Sequence, residues 1–162
     1  MRRTFAFAFA FALFGCGPEE DLAARTEALQ PAPEHGPAPG DPLGAAVHSL
    51  GLEKARRYAP DEGGVLRDSL RQGRVQEHPV VLLGTHCYVV VAAGGEGVED
   101  LDLSLLNPAG QPVLHDTEAG PASWLGVSDA ICPSEPGLFR VRVRMFRGQG
   151  DYALRVYGRS MI

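Results

Sequence analysis

The stretch that most constrains the fold lies between residues 84 and 110. Two apolar, β-branched-rich runs, 87–93 and 101–106, flank a glycine- and acid-rich break there. In the second run Leu101, Leu103 and Leu105 alternate with Asp102 and Ser104. A strand sends successive side chains to opposite faces, so the leucines share one face. A second pair of runs lies downstream, 138–146 and 151–158, split by Arg147-Gly148-Gln149-Gly150. Within the first of these, Phe139, Val141, Val143 and Met145 are expected to face inward, and Arg140, Arg142 and Arg144 to form an outward basic stripe. Short alternating runs punctuated by Gly, Asn and Pro read as an all-β domain.

Taken in order, the same reading gives eight strands at 65–70, 74–83, 86–93, 100–106, 111–116, 122–132, 138–146 and 151–158. The third is the most apolar and is expected to be central. Pro79 pushes the second toward a sheet edge or a bulge, because proline cannot donate to a ladder. Turns every 8–12 residues suggest a β-sandwich or jelly roll over 61–162. Upstream, Asp41-Pro42 is a helix-start signal. Leu43, Val47, Leu50 and Lys54 stand near helical spacing, so a short helix is expected over 43–60, weakened by Gly51. Residues 60–64, Pro-Asp-Glu-Gly-Gly, read as the turn that ends it. His48 is expected to be a solvated surface histidine.

The amino terminus has the form of a secretory signal over residues 1–15: Arg2 and Arg3, then an apolar run from Thr4 to Phe14 too short to span a bilayer. Leu13-Phe14-Gly15-Cys16 resembles the lipobox of bacterial lipoproteins. That resemblance implies diacylglycerol on the Cys16 thiol, cleavage before Cys16, and attachment to a membrane through acyl chains. Gly17, in place of an aspartate after the cysteine, resembles the outer-membrane sorting pattern. Two or three chains anchor stably at about 0.8 kcal/mol per buried CH₂. Residues 16–42 read as a lipidated, disordered, proline-rich tether. With Cys16 acylated, Cys87 and Cys132 remain as an even pair in an oxidising compartment. They form either a disulfide, the favoured reading, or two buried thiols.

Residues 64–158 resemble the bacterial pre-peptidase C-terminal domain. The resemblance is carried by Cys87-Tyr88-Val89-Val90-Val91, by Asp100-Leu101-Asp102-Leu103 before Asn107-Pro108-Ala109-Gly110, by residues 136–143 and by Gly150-Asp151-Tyr152. It implies an eight-stranded jelly roll with strand order 1-8-3-6 in one sheet and 2-7-4-5 in the other. That order would bring the start of strand three, with Cys87, to the end of strand six, with Cys132. It would also set Asp100 and Asp102 across the ladder from Arg140, Arg142 and Arg144.

Function is less legible. The chain has 15 Lys+Arg against 20 Asp+Glu, a net charge of −5, which disfavours nucleic acid as a partner. Glu96, Glu99, Asp100 and Asp102 beside Gly94-Gly95 and Gly97 are a candidate calcium cluster, weighed below a solvated loop with strand ion pairs. No other cofactor is expected. Ser123, Ser128 and Ser134 lack the Gly-x-Ser-x-Gly context of a nucleophile elbow, and His86, His115 and Asp116 form no recognisable motif with them. Trp124 is expected in the core rather than as a sugar platform. The expectation is a non-enzymatic binding or structural module of the cell envelope, facing an envelope protein or a glycan. The alternatives are a carbohydrate-binding module and, behind it, a secreted hydrolase.

Overall fold

The computed structural model describes residue 38, residues 40–116 and residues 118–162. The signal-like segment, Cys16 and most of the tether lie outside the described residues. Among the described residues one helix, α1 (Pro42–Lys54), precedes eight strands: β1 (Ala59–Leu70), β2 (Val75–Leu82), β3 (His86–Gly94), β4 (Val98–Leu106), β5 (Pro112–His115), β6 (Ala122–Leu125), β7 (Gly137–Gly148) and β8 (Gly150–Ser160). The strands form two antiparallel four-stranded sheets, ordered β1-β8-β3-β6 and β2-β7-β4-β5. This is the jelly-roll order that the resemblance to the pre-peptidase C-terminal domain implies.

Alternation explains the packing. Leu101, Leu103 and Leu105 of β4 and Val141, Val143 and Met145 of β7 are buried against Tyr88, Val90, Tyr152, Leu154 and Val156 of the facing sheet. Val89, Val91 and Ala93, the opposite face of β3, are buried too, under α1 with Val47, Ala55, Ala153 and Tyr157. β3 is therefore covered on both faces, which is why its sequence runs apolar without alternation. Each large apolar side chain removed from water contributes about 1.5–3 kcal/mol.

The helix starts as expected. Asp41 is the N-cap and accepts from the Gly44 N–H at 2.9 Å, and Pro42 takes the first turn. Asp41 also pairs with Arg67 of β1, tying the helix start to the sheet. The helix ends at Lys54, short of the expected residue 60. Ala55, only 2% exposed, turns into the helix–sheet layer, and Tyr58 N–H closes onto the Ala55 carbonyl at 2.9 Å. Residues 60–64 are not the turn expected there. They lie inside β1 as a register irregularity, with Pro60 opposite Tyr157 and Val65 opposite Arg155. Four residues, 61–64, thus stand against one, Val156, on β8, so the glycines serve a bulge.

β2 is an edge strand, and Pro79 sits in it without breaking the ladder. β6 is shorter than expected. It pairs with β3 only from Ala122 to Leu125, and the chain returns to Tyr88 through a single bridge at Ile131. Just past that bridge Cys132 is disulfide-bonded to Cys87. Among the described residues no helix is long and apolar enough to cross a membrane.

Candidate functional site

Among the described residues a concavity opens where β6 gives out. Its floor is the inner face of the second sheet, from Leu105 at the end of β4, Leu114 of β5 and Phe139 of β7. Its roof and far wall are the segment from Asp129 to Pro136, which includes Ile131 and Cys132. Its volume is about 510 Å³, within the usual range for ligand sites.

Local chemistry fixes both sides. Asn107-Pro108-Ala109-Gly110 is a tight turn. The Asn107 side-chain oxygen accepts from the Gln111 N–H at 2.9 Å, and the Gly110 N–H donates to the Asn107 carbonyl at 2.8 Å. On the other wall the Tyr88 N–H donates to the Ile131 carbonyl at 2.8 Å, and the disulfide holds the next residue to β3. Gly126, at φ +86°, directly follows β6, and a Cβ there would come within 2.4 Å of the Tyr88 carbonyl oxygen. At the rim stand Asp129 and Glu135, both exposed. Among the described residues neither has a basic partner within ion-pair distance. Among the described residues no Lys or Arg lines the cavity.

The expected basic stripe is present on the outer face of the second sheet, but its acidic partners differ from the expectation. Glu77 of β2 lies opposite Arg142. It accepts from Arg142 Nε at 3.0 Å and from Nη2 at 2.8 Å, and its other oxygen stands 3.4 Å from Arg140 Nε. Only Arg144 meets the expected carboxylate, Asp102, at 4.0 Å. Register irregularities on both sides of Asp100 put it opposite Arg147 and turn it inward, where it is 5% exposed and accepts from the Gly120 N–H at 2.9 Å. Burial first, then the neighbouring Asp100, holds the Asp102 carboxyl above the ordinary range against the pull of Arg144.

The four candidate calcium carboxylates are not drawn together. Glu96 is exposed, Glu99 pairs with Arg147 at 2.8 Å, Asp102 lies by Arg144, and Asp100 is engaged with Gly120. Among the described residues no three His, Cys, Asp or Glu side chains form a metal-holding group. Ser123, fully buried, donates directly to Asp116 Oδ2 at 2.7 Å, with no imidazole between them. Trp124 lies under the helix, with Lys54 Nζ 3.8 Å above its ring centre, so that face is not free to stack on a sugar. His48 is half-buried rather than solvated, with Nδ1 enclosed.

Two features carry no signature in the sequence. The first is the cavity itself, which arises because β6 stops early. The second is a buried polar pair between the sheets, His78 Nε2 and Tyr152 Oη at 2.7 Å. Burial holds the His78 imidazole below its ordinary pKa, with Asp68 pulling the other way, and pushes the Tyr152 phenol up.

No protein-family model matches the chain. Coenzyme PQQ synthesis protein B of Methylobacillus flagellatus is 26% identical over 112 residues, 68% of this chain and 32% of that protein. The chain thus spans about a third of the length of the curated relatives it matches. Among solved structures, Aeromonas hydrophila PliG, a periplasmic lysozyme inhibitor of g-type lysozyme, aligns at TM-score 0.45 and 13% identity over 59% of this chain and 85% of its own. The pre-peptidase C-terminal domain of Bacillus anthracis collagenase aligns at 0.46 and 14% over 60% and 89%. Scores below 0.5 leave the β-sandwich to rest on its own strand order and register.

Proposed function

We propose that this chain is a lipid-anchored protein of the cell envelope whose β-sandwich is a non-enzymatic binding or structural module. The observation that carries the reading is the cavity of about 510 Å³ at the loop end, its wall tied by Cys87–Cys132. A concave apolar site with a few polar groups at its rim suits recognition. Near it, Ser123 engages Asp116 directly, which is not the nucleophile–base–orienter chain of acyl transfer. A disulfide in the body suits an oxidising compartment. The lipobox-like Leu13-Phe14-Gly15-Cys16 supplies the anchor.

The test is metabolic labelling with a palmitate analogue in a Gram-negative host, beside a Cys16→Ala variant, read with membrane fractionation. The wild type is expected to be labelled and to sediment with membranes, and the variant to be unlabelled and released. An unlabelled, soluble wild type rejects the anchor.

A further inference from the structure

The cavity at the loop end joins two properties that a purely structural wall does not need. Its floor is apolar, from Leu105, Leu114 and Phe139, while its rim holds two carboxylates, Asp129 and Glu135, that no described cation neutralises. At its lip Val113 is 53% exposed. An exposed apolar group beside a concave apolar site fits a macromolecular partner better than a small ligand, which would bury only the floor. The carboxylates choose the sign of what enters. So does the chain as a whole, at net charge −5, through long-range steering.

We propose that the cavity receives a basic side chain, Arg or Lys, from an apolar-flanked segment of a partner protein. The aliphatic stem lies along Leu105, Leu114 and Phe139, and the charged head meets Asp129 and Glu135 at the rim. Long basic side chains divide in this way between an apolar floor and a wet, charged edge. A residue flanking the basic one would cover Val113. This deepens the binding-module reading and rests on it. Labelling at Cys16 reports on the anchor and not on the cavity, so the two fail separately.

The test is a ¹⁵N–¹H titration of the full chain with three acetylated, amidated tripeptides, Leu-Arg-Leu, Leu-Gln-Leu and Leu-Glu-Leu. The Arg peptide is expected to shift the amides of 105–114 and 129–139 saturably. It should bind about tenfold more tightly than the Gln peptide, the discrimination that two exposed carboxylates can supply. The Glu peptide should be weakest. The double variant Asp129→Asn, Glu135→Gln should bind the Arg and Gln peptides equally, with its urea midpoint unchanged. Equal affinity for all three peptides in the wild type overturns the proposal, as does discrimination that survives in the double variant. Shifts confined to another part of the body reject this site while keeping a binding role, and no saturable shift with any peptide rejects peptide recognition altogether.

Discussion

Gly51 decides how closely α1 can lie on the first sheet. A Cβ there would stand 2.0 Å from the Tyr157 hydroxyl oxygen and 2.2 Å from Cζ, and Tyr157 is only 4% exposed. From sequence the glycine looks like a weakness, since it costs a helix about 1 kcal/mol relative to alanine. Gly51→Ala recovers that amount but drives a methyl into a packed ring, where overpacking costs about 1–3 kcal/mol. The expected outcome in urea unfolding is a net loss of up to about 2 kcal/mol. Leu52→Ala on the exposed side of the same helix should stay within about 0.5 kcal/mol. His78 gives a second residue-scale test. Its imidazole titrates below its unfolded value of about 6.5, so its stabilising contribution is complete above that value. As pH falls below 6.5 the unfolded chain takes up the proton first, and stability declines until the folded pKa is passed. Urea midpoints across this window should drop with acid, and His78→Gln, which can still meet the Tyr152 hydroxyl, should remove that residue's share of the slope.

At the scale of elements, the disulfide joins the start of β3 to the segment after β6 across a sequence separation of 45. Closing a loop of that length restricts the unfolded chain and is worth about 2–4 kcal/mol. The double variant Cys87→Ser, Cys132→Ser is expected to lose that much in urea unfolding while retaining the far-ultraviolet spectrum of a β-protein. The elements also mark what the sequence discloses. Strand faces were legible wherever alternation is strict, as in Leu101-Asp102-Leu103 and in Val141-Arg142-Val143. The central position of β3 followed from its unbroken apolar run. What stayed hidden depends on register. Asp100 departs from its expected face because irregularities interrupt β4 on both sides of it, and the 60–64 bulge mimics a turn in composition. Glu77 could not be assigned to Arg140 and Arg142 without the β2–β7 pairing. The cavity has no sequence signature, since it depends on where β6 stops pairing.

At the scale of the whole folded body, the jelly roll has three layers rather than two, because α1 covers the outer face of the first sheet. Deleting residues 42–54 would expose Val89, Val91, Ala93, Ala153 and Tyr157 as one apolar patch. The shortened chain is expected to enhance the fluorescence of the dye ANS and to elute as oligomers in size-exclusion chromatography. The cavity lies elsewhere, between the second sheet and the roof that the sulfur link holds. Material made in a reducing cytosol would then be a different reagent from material exported through the secretory route. Both preparations would pass a check for β-structure, yet in the first the cavity's roof would no longer be tied to β3.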